Sequence, residues 1–60
     1  MSFSDYINGL RVDYASRLLE ERSELSINDV MTKSGFTSSS AFYRNFKKFK
    51  GITPTENRAK

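Results

Sequence analysis

The stretch Gly35-Phe36-Thr37-Ser38-Ser39-Ser40-Ala41-Phe42-Tyr43-Arg44-Asn45-Phe46-Lys47-Lys48-Phe49 decides how this chain is read. It opens on a glycine, the residue best suited to end a helix in a left-handed conformation. Hydroxyl side chains follow, and Thr37 or Ser38 is placed to cap a helix from about Ser39 to Phe49. Along that helix Ala41, Phe42, Phe46 and Phe49 fall on one inward face, while Arg44 and the lysines fall outside it.

Upstream, the spacing predicts a short helix from about Ile27 to Lys33. Ser26 is its N-cap, and Asp29, three residues on, completes a capping box. Ile27 and Val30 form its inner side with Met31 beside them, Gly35 ends it, and Phe36 plugs the turn. Further upstream a long helix is expected from Phe3 to Glu21, with Ser2 and Asp5 as its opening signature. Phe3, Tyr6, Ile7, Leu10, Tyr14, Leu18 and Leu19 recur at three and four residues as one apolar stripe, with Val12 and Ala15 beside it. Tyr6 and Tyr14 are read as core or interface residues. Gly9, inside this helix, costs about 1 kcal/mol relative to alanine, and close approach of another helix is one use for it. Arg22-Ser23-Glu24 reads as a loop. Downstream, Gly51 closes the third helix, and Thr53-Pro54 with Glu56 opens a last helical turn. Sustained period-two alternation is missing, so the expected fold is all-α, a single small domain of about four helices.

Composition narrows the function. The 60 residues contain no Cys and no His, which removes thiolate chemistry, the commonest metal ligand and the commonest general base. Ser39 has no recognisable base and is rejected as a nucleophile. The acidic residues Asp5, Asp13, Glu20, Glu21 and Glu24 read as surface and capping charges without metal spacing. Neither an enzyme nor a cofactor is expected. No apolar run approaches membrane-spanning length and no signal peptide is apparent, so a cytoplasmic location is the expectation. Net charge is +3 but uneven. Residues 1–34 carry four basic and six acidic side chains, net −2; residues 35–60 carry six basic and one acidic, net +5. A polyphosphate partner suits that concentration of positive charge.

Two helices, a glycine-containing turn and a basic second helix form a helix-turn-helix pattern. The major groove of B-DNA admits one α-helix, which must be anchored from behind and approach the bases closely. Phe36, Phe42, Phe46 and Phe49 are also the residue type that stacks single-stranded bases, but their inward spacing favours core packing.

The residues Ile27, Gly35-Phe36, Phe42-Tyr43-Arg44-Asn45-Phe46-Lys47-Lys48 and Gly51-Ile52-Thr53-Pro54 resemble the second helix-turn-helix of AraC/XylS-type bacterial transcription regulators. Ser2-Phe3-Ser4-Asp5-Tyr6-Ile7, Arg11-Val12, Ala15 and Leu18-Leu19 resemble the linker helix of that family, whose DNA-binding domain joins two such units. The resemblance implies a linker helix over residues 1–22, a helix-turn-helix over 26–50 and a short C-terminal helix over 53–60. It implies sequence-specific binding of double-stranded DNA, with base contacts from Ser39, Ser40, Ala41 and Arg44. Ser26, Ser38, Tyr43, Lys47 and Thr53 are the expected phosphate contacts. Neither a membrane nor a small-molecule ligand is expected for these residues. The chain departs from the family at Asn57, where an aromatic is usual, which leaves the order of residues 54–60 open, and at Met31, where a small alanine is usual. A rival reading is a helical interaction module that forms a homodimer through the exposed side of its first helix.

Overall fold

A computed structural model describes residues 2–59; Met1 and Lys60, at the outer ends of the expected linker and C-terminal helices, lie outside the described residues. Four helices follow in order: α1 Phe3–Glu21, α2 Ile27–Lys33, α3 Ser39–Lys50 and α4 Pro54–Ala59. The all-α architecture agrees with the sequence reading, and α3 runs one residue past Phe49.

Each helix begins where a hydroxyl occupies the cap. Ser2 Oγ accepts from the Asp5 N–H, and Ser38, rather than Thr37, accepts from the Ala41 N–H. Ser26 and Asp29 form a reciprocal capping box on α2, and Thr53 and Glu56 form another on α4. These bonds satisfy N–H groups that the first helical turn leaves without partners. The stop signals are equally local. The Phe36 N–H donates to the Met31 carbonyl and the Gly35 N–H to that of Thr32, with Gly35 at φ 91°. That pair is a Schellman closure of α2, and it turns the chain sharply into α3. Gly51, at φ 78°, ends α3 with its N–H on the Lys47 carbonyl.

The core joins α1 to the other three helices. Val12, Ala15, Val30, Phe42 and Phe46 are fully buried, and Leu18, Leu19 and Phe36 nearly so. Phe42 lies between Phe36, at 5.4 Å between ring centroids, and Phe46, at 5.9 Å. Such tilted and edge-on arrangements are favoured between aromatic rings. These rings are packing, as their inward spacing implied, and hold α3 from behind.

The structure corrects the reading of α1. The side facing the core is built on Val12 and Ala15, with Leu18 and Leu19. Phe3, Tyr6, Leu10 and Tyr14 instead lie on the opposite side, 80%, 56%, 50% and 49% exposed. The outer stripe runs along the first three turns and the inner one begins at Val12, so counting large side chains along the whole helix selected the outer one. Gly9 faces Phe49 of α3, and a Cβ built there would lie 3.6 Å from the ring. The helices meet at ordinary contact distance there, and the glycine is tolerated rather than required.

Residues 54–59 are helical despite Asn57. Its side chain is buried between α4 and α1, and among the described residues neither its Nδ2 nor the neighbouring buried Arg58 Nε has a hydrogen-bond partner. Pro54, the first residue of the helix, is fully buried. Met31 is half-buried against the core and fills space there, as expected of a flexible side chain.

Candidate nucleic-acid interface

The inner face of α3 is committed to Phe42 and Phe46, which leaves its outer ridge to solvent. Ser39, Ser40, Arg44 and Lys47 are all exposed along that ridge. Successive residues on a helix are offset by about 100°, so Ser40, Arg44 and Lys47 line up on one side, with Ser39 at its entry. Ala41 differs. It is half-buried and packs on the core, and its carbonyl accepts from Asn45 Nδ2 at 2.8 Å. Asn45 was not singled out from the sequence; an amide four residues after a helical carbonyl is the one signal for that bond.

Tyr43 sits at the edge of the ridge, with its hydroxyl 3.4 Å from Thr55 Oγ1. This pair links α3 to the start of α4. Ser38 is exposed, and its oxygen is engaged as the α3 cap. Ser26 and Thr53 lie at the starts of α2 and α4, each facing a carboxylate in the first turn. Asp29 and Glu56 thus oppose the positive end of each helix dipole. The Thr53 N–H and hydroxyl hold the Glu56 carboxyl below its usual range. Among the four described helices, α3 alone has no acidic residue in its first turn. Its N-terminus therefore keeps its positive potential unopposed.

The lysines after Arg44 do not act alike. Lys48 Nζ lies 2.9 Å from Asp5 Oδ1 and Lys50 Nζ 2.8 Å from Asp13 Oδ1, both across the α1–α3 junction. The Asp5 carboxyl is held below its usual range, chiefly by its bond from Lys48. Neither Arg44 nor Lys47 forms an ion pair among the described residues. A cation from α1 borders the turn: Arg11 Nε lies 3.3 Å from the position a Cβ on Gly35 would take. Neither the lysine pairs nor the placement of Arg11 was legible in the sequence, because the partners are 37 and 43 residues apart for the lysines and 24 for Arg11.

No group of three or more His, Cys, Asp or Glu side chains among the described residues gathers in a metal-binding arrangement. No described helix is long and apolar enough to cross a membrane.

The whole chain, residues 1–60, matches the model of a family described as a helix-turn-helix domain. It is 34% identical over 58 residues to the melibiose operon regulatory protein of Escherichia coli (strain K12), covering 97% of this chain and 19% of that protein. It is 30% identical to the uncharacterized transcriptional regulatory protein YesN of Bacillus subtilis (strain 168), over 97% of this chain and 16% of that one. The chain thus spans less than a fifth of the length of either relative. A solved protein of unknown function from Listeria innocua superposes with a TM-score of 0.94 at 39% identity, covering 98% of this chain and 55% of that one. The family match runs across the long α1, the glycine-closed turn and the basic α3, and the chain belongs to the helix-turn-helix family of AraC/XylS-type transcription regulators.

Proposed function

We propose that this chain is one DNA-reading unit of a transcription regulator and lays α3 in the major groove of double-stranded DNA. The observation that carries the reading is the two-sided character of α3. Phe42 and Phe46 fix it from behind, and Arg44 and Lys47 stand on the exposed ridge without an ion pair among the described residues. Arg44 is the principal base reader, because a guanidinium reaches the two acceptors of guanine in the fixed fork they require. Ser39 and Ser40 give short hydroxyl contacts at the base edges, and Ala41 contributes only closeness of approach. Lys47, Tyr43 and Ser38 grip the flanking phosphates, which sets register without reading sequence. Ser26 and Thr53 serve as hydroxyl donors at the rim, because carboxylates already occupy their helix starts. The family's two-unit organisation supports reading α1 as the linker and α2–α3 as the second unit. In this account the chain recognises part of a longer site.

The test is titration of duplex DNA at several salt concentrations. The parent should bind duplex in preference to single strands, with affinity falling as salt rises. Lys47→Ala should weaken binding to all duplexes about equally and reduce the salt slope by about one. Equal or better binding of single strands would sink the reading.

The exposed stripe on α1 supports a second, compatible reading. Phe3, Tyr6, Leu10 and Tyr14 make an apolar surface that a neighbouring helical unit or a second copy would cover. Elution that shifts with concentration, and ceases to shift in Leu10→Glu, identifies self-association through this side; concentration-independent elution argues against it.

A further inference from the structure

The recognition helix carries three lysines in its last turns, yet two are turned back onto α1. Their positions give that arrangement a consequence for DNA binding. Lys48 is four residues after Arg44 and Lys50 three after Lys47, so the pair flanks the exposed ridge on its two sides. Both side chains are partly exposed, at 55% and 32%. Released from α1, each ammonium would swing towards the phosphates bordering the groove. Instead each faces a carboxylate oxygen, the chemical equivalent of a phosphate oxygen. Lys48 is steered further by the Phe49 ring, whose centroid lies 5.4 Å from Nζ.

We propose that Asp5 and Asp13 act as built-in competitors of phosphate, holding down the sequence-independent part of this unit's affinity for duplex DNA. The inference rests on the DNA-binding reading above and adds to it two residues that tune affinity and salt dependence without touching DNA. The reasoning is electrostatic. Random duplex attracts a protein almost entirely through its phosphates, whereas a specific site adds base contacts. Withholding two cations therefore lowers the phosphate contribution in both cases, and random duplex has little else to bind by. Exposed ion pairs and phosphate contacts are screened by the same salt, so the competition persists across salt concentrations rather than vanishing at one end.

The experiment compares salt slopes of the full chain on random duplex. Asp5→Asn with Asp13→Asn should steepen the slope by up to about 1.8, since each cation that newly neutralises a phosphate contributes about 0.9. Between 50 and 200 mM salt that is roughly a ten-fold larger loss of affinity than the parent shows. Glu20→Gln with Glu21→Gln makes the same change in net charge without releasing either lysine, and should leave the slope near that of the parent. A complementary arm guards against misfolding of the first variant. In the parent, Lys48→Gln with Lys50→Gln should barely change the slope, whereas Lys47→Gln should lower it by about one. Equal slope changes in the two acidic double variants, or a slope drop of about two in Lys48→Gln/Lys50→Gln, would overturn the proposal while leaving DNA binding intact. Failure of the parent to bind any duplex would remove both.

Discussion

Replacing glycine by alanine at two positions of this small domain should have opposite effects on stability, for reasons that can be read from the backbone. At Gly9 the residue is helical, in the middle of α1. Alanine there removes a penalty of about 0.8–1.0 kcal/mol in helix propensity. Its Cβ would meet the Phe49 ring at 3.6, 3.8 and 3.8 Å, ordinary contact distances that demand no movement. A methyl group placed against an aromatic ring adds a few tenths of a kcal/mol of apolar burial. The sum is about 1 kcal/mol of stabilisation. At Gly51 the backbone is left-handed, with φ 78°, and nothing lies within 4 Å of a Cβ. No contact offsets the cost, so alanine should destabilise by about 1 kcal/mol, the ordinary penalty of a side chain in that region. Circular dichroism at 222 nm during thermal and urea unfolding measures both. For a domain of this size 1 kcal/mol moves Tm by about 4–8 °C. Gly9→Ala should raise Tm by roughly that amount and Gly51→Ala should lower it. A loss of stability in Gly9→Ala would refute the description of the α1–α3 crossing as one that leaves room for a side chain.

Further outcomes follow from other parts of the molecule. Phe46→Ala removes a fully buried ring that packs against Phe42 and should cost about 3–5 kcal/mol, enough to abolish cooperative unfolding in a chain this short. Asn57→Leu removes a buried amide nitrogen without a partner and should stabilise by about 1 kcal/mol, read as a shift of the urea midpoint at unchanged slope. Acid titration should lower stability through Asp5, Glu24 and Glu56. All three are held below their ordinary values of 3.8 and 4.5, by the Lys48 side chain, the Arg22 side chain and the Thr53 backbone N–H respectively. A depressed folded-state value stabilises the native form above the ordinary value, and that contribution disappears as pH falls through the depressed one. The loss should therefore begin near pH 4.5 and continue downwards, and it should be smaller in Glu56→Gln, where Glu24 and Asp5 alone contribute.

The elements legible in the sequence were those specified by neighbours. Ser26 and Asp29, three residues apart, defined the start of α2, and Gly35 with Phe36 defined its end, because capping and Schellman closure involve residues within one turn. The phenylalanines of α3 declared the buried side of that helix through their spacing alone. The orientation of α1 was misread because it is a property of the assembled domain. Phe3, Leu10 and Tyr14 repeat with the same period as Val12, Ala15 and Leu19, and only the other helices decide which stripe is covered. The same limit applied to part of the interface. Exposure of Ser39, Ser40, Arg44 and Lys47 followed from the inward face of α3, and so did the half-buried state of Ala41, whose spacing places it on that face although the family resemblance implied a base contact. Charge counting treated all the lysines after Arg44 as one patch, and the carboxylates that divide them come from a helix that precedes them by more than 30 residues.

The central claim is that Arg44 reads a base from the exposed ridge of α3, and selection of duplexes from a random pool tests it most directly. The parent chain should enrich sequences with a fixed guanine at one position, and Arg44→Ala should lose preference there while keeping its other preferences. A bidentate arginine–guanine contact is worth roughly 1–3 kcal/mol of discrimination, so the preference should fall by about ten-fold or more. Identical enrichment by the parent and Arg44→Ala would contradict the account.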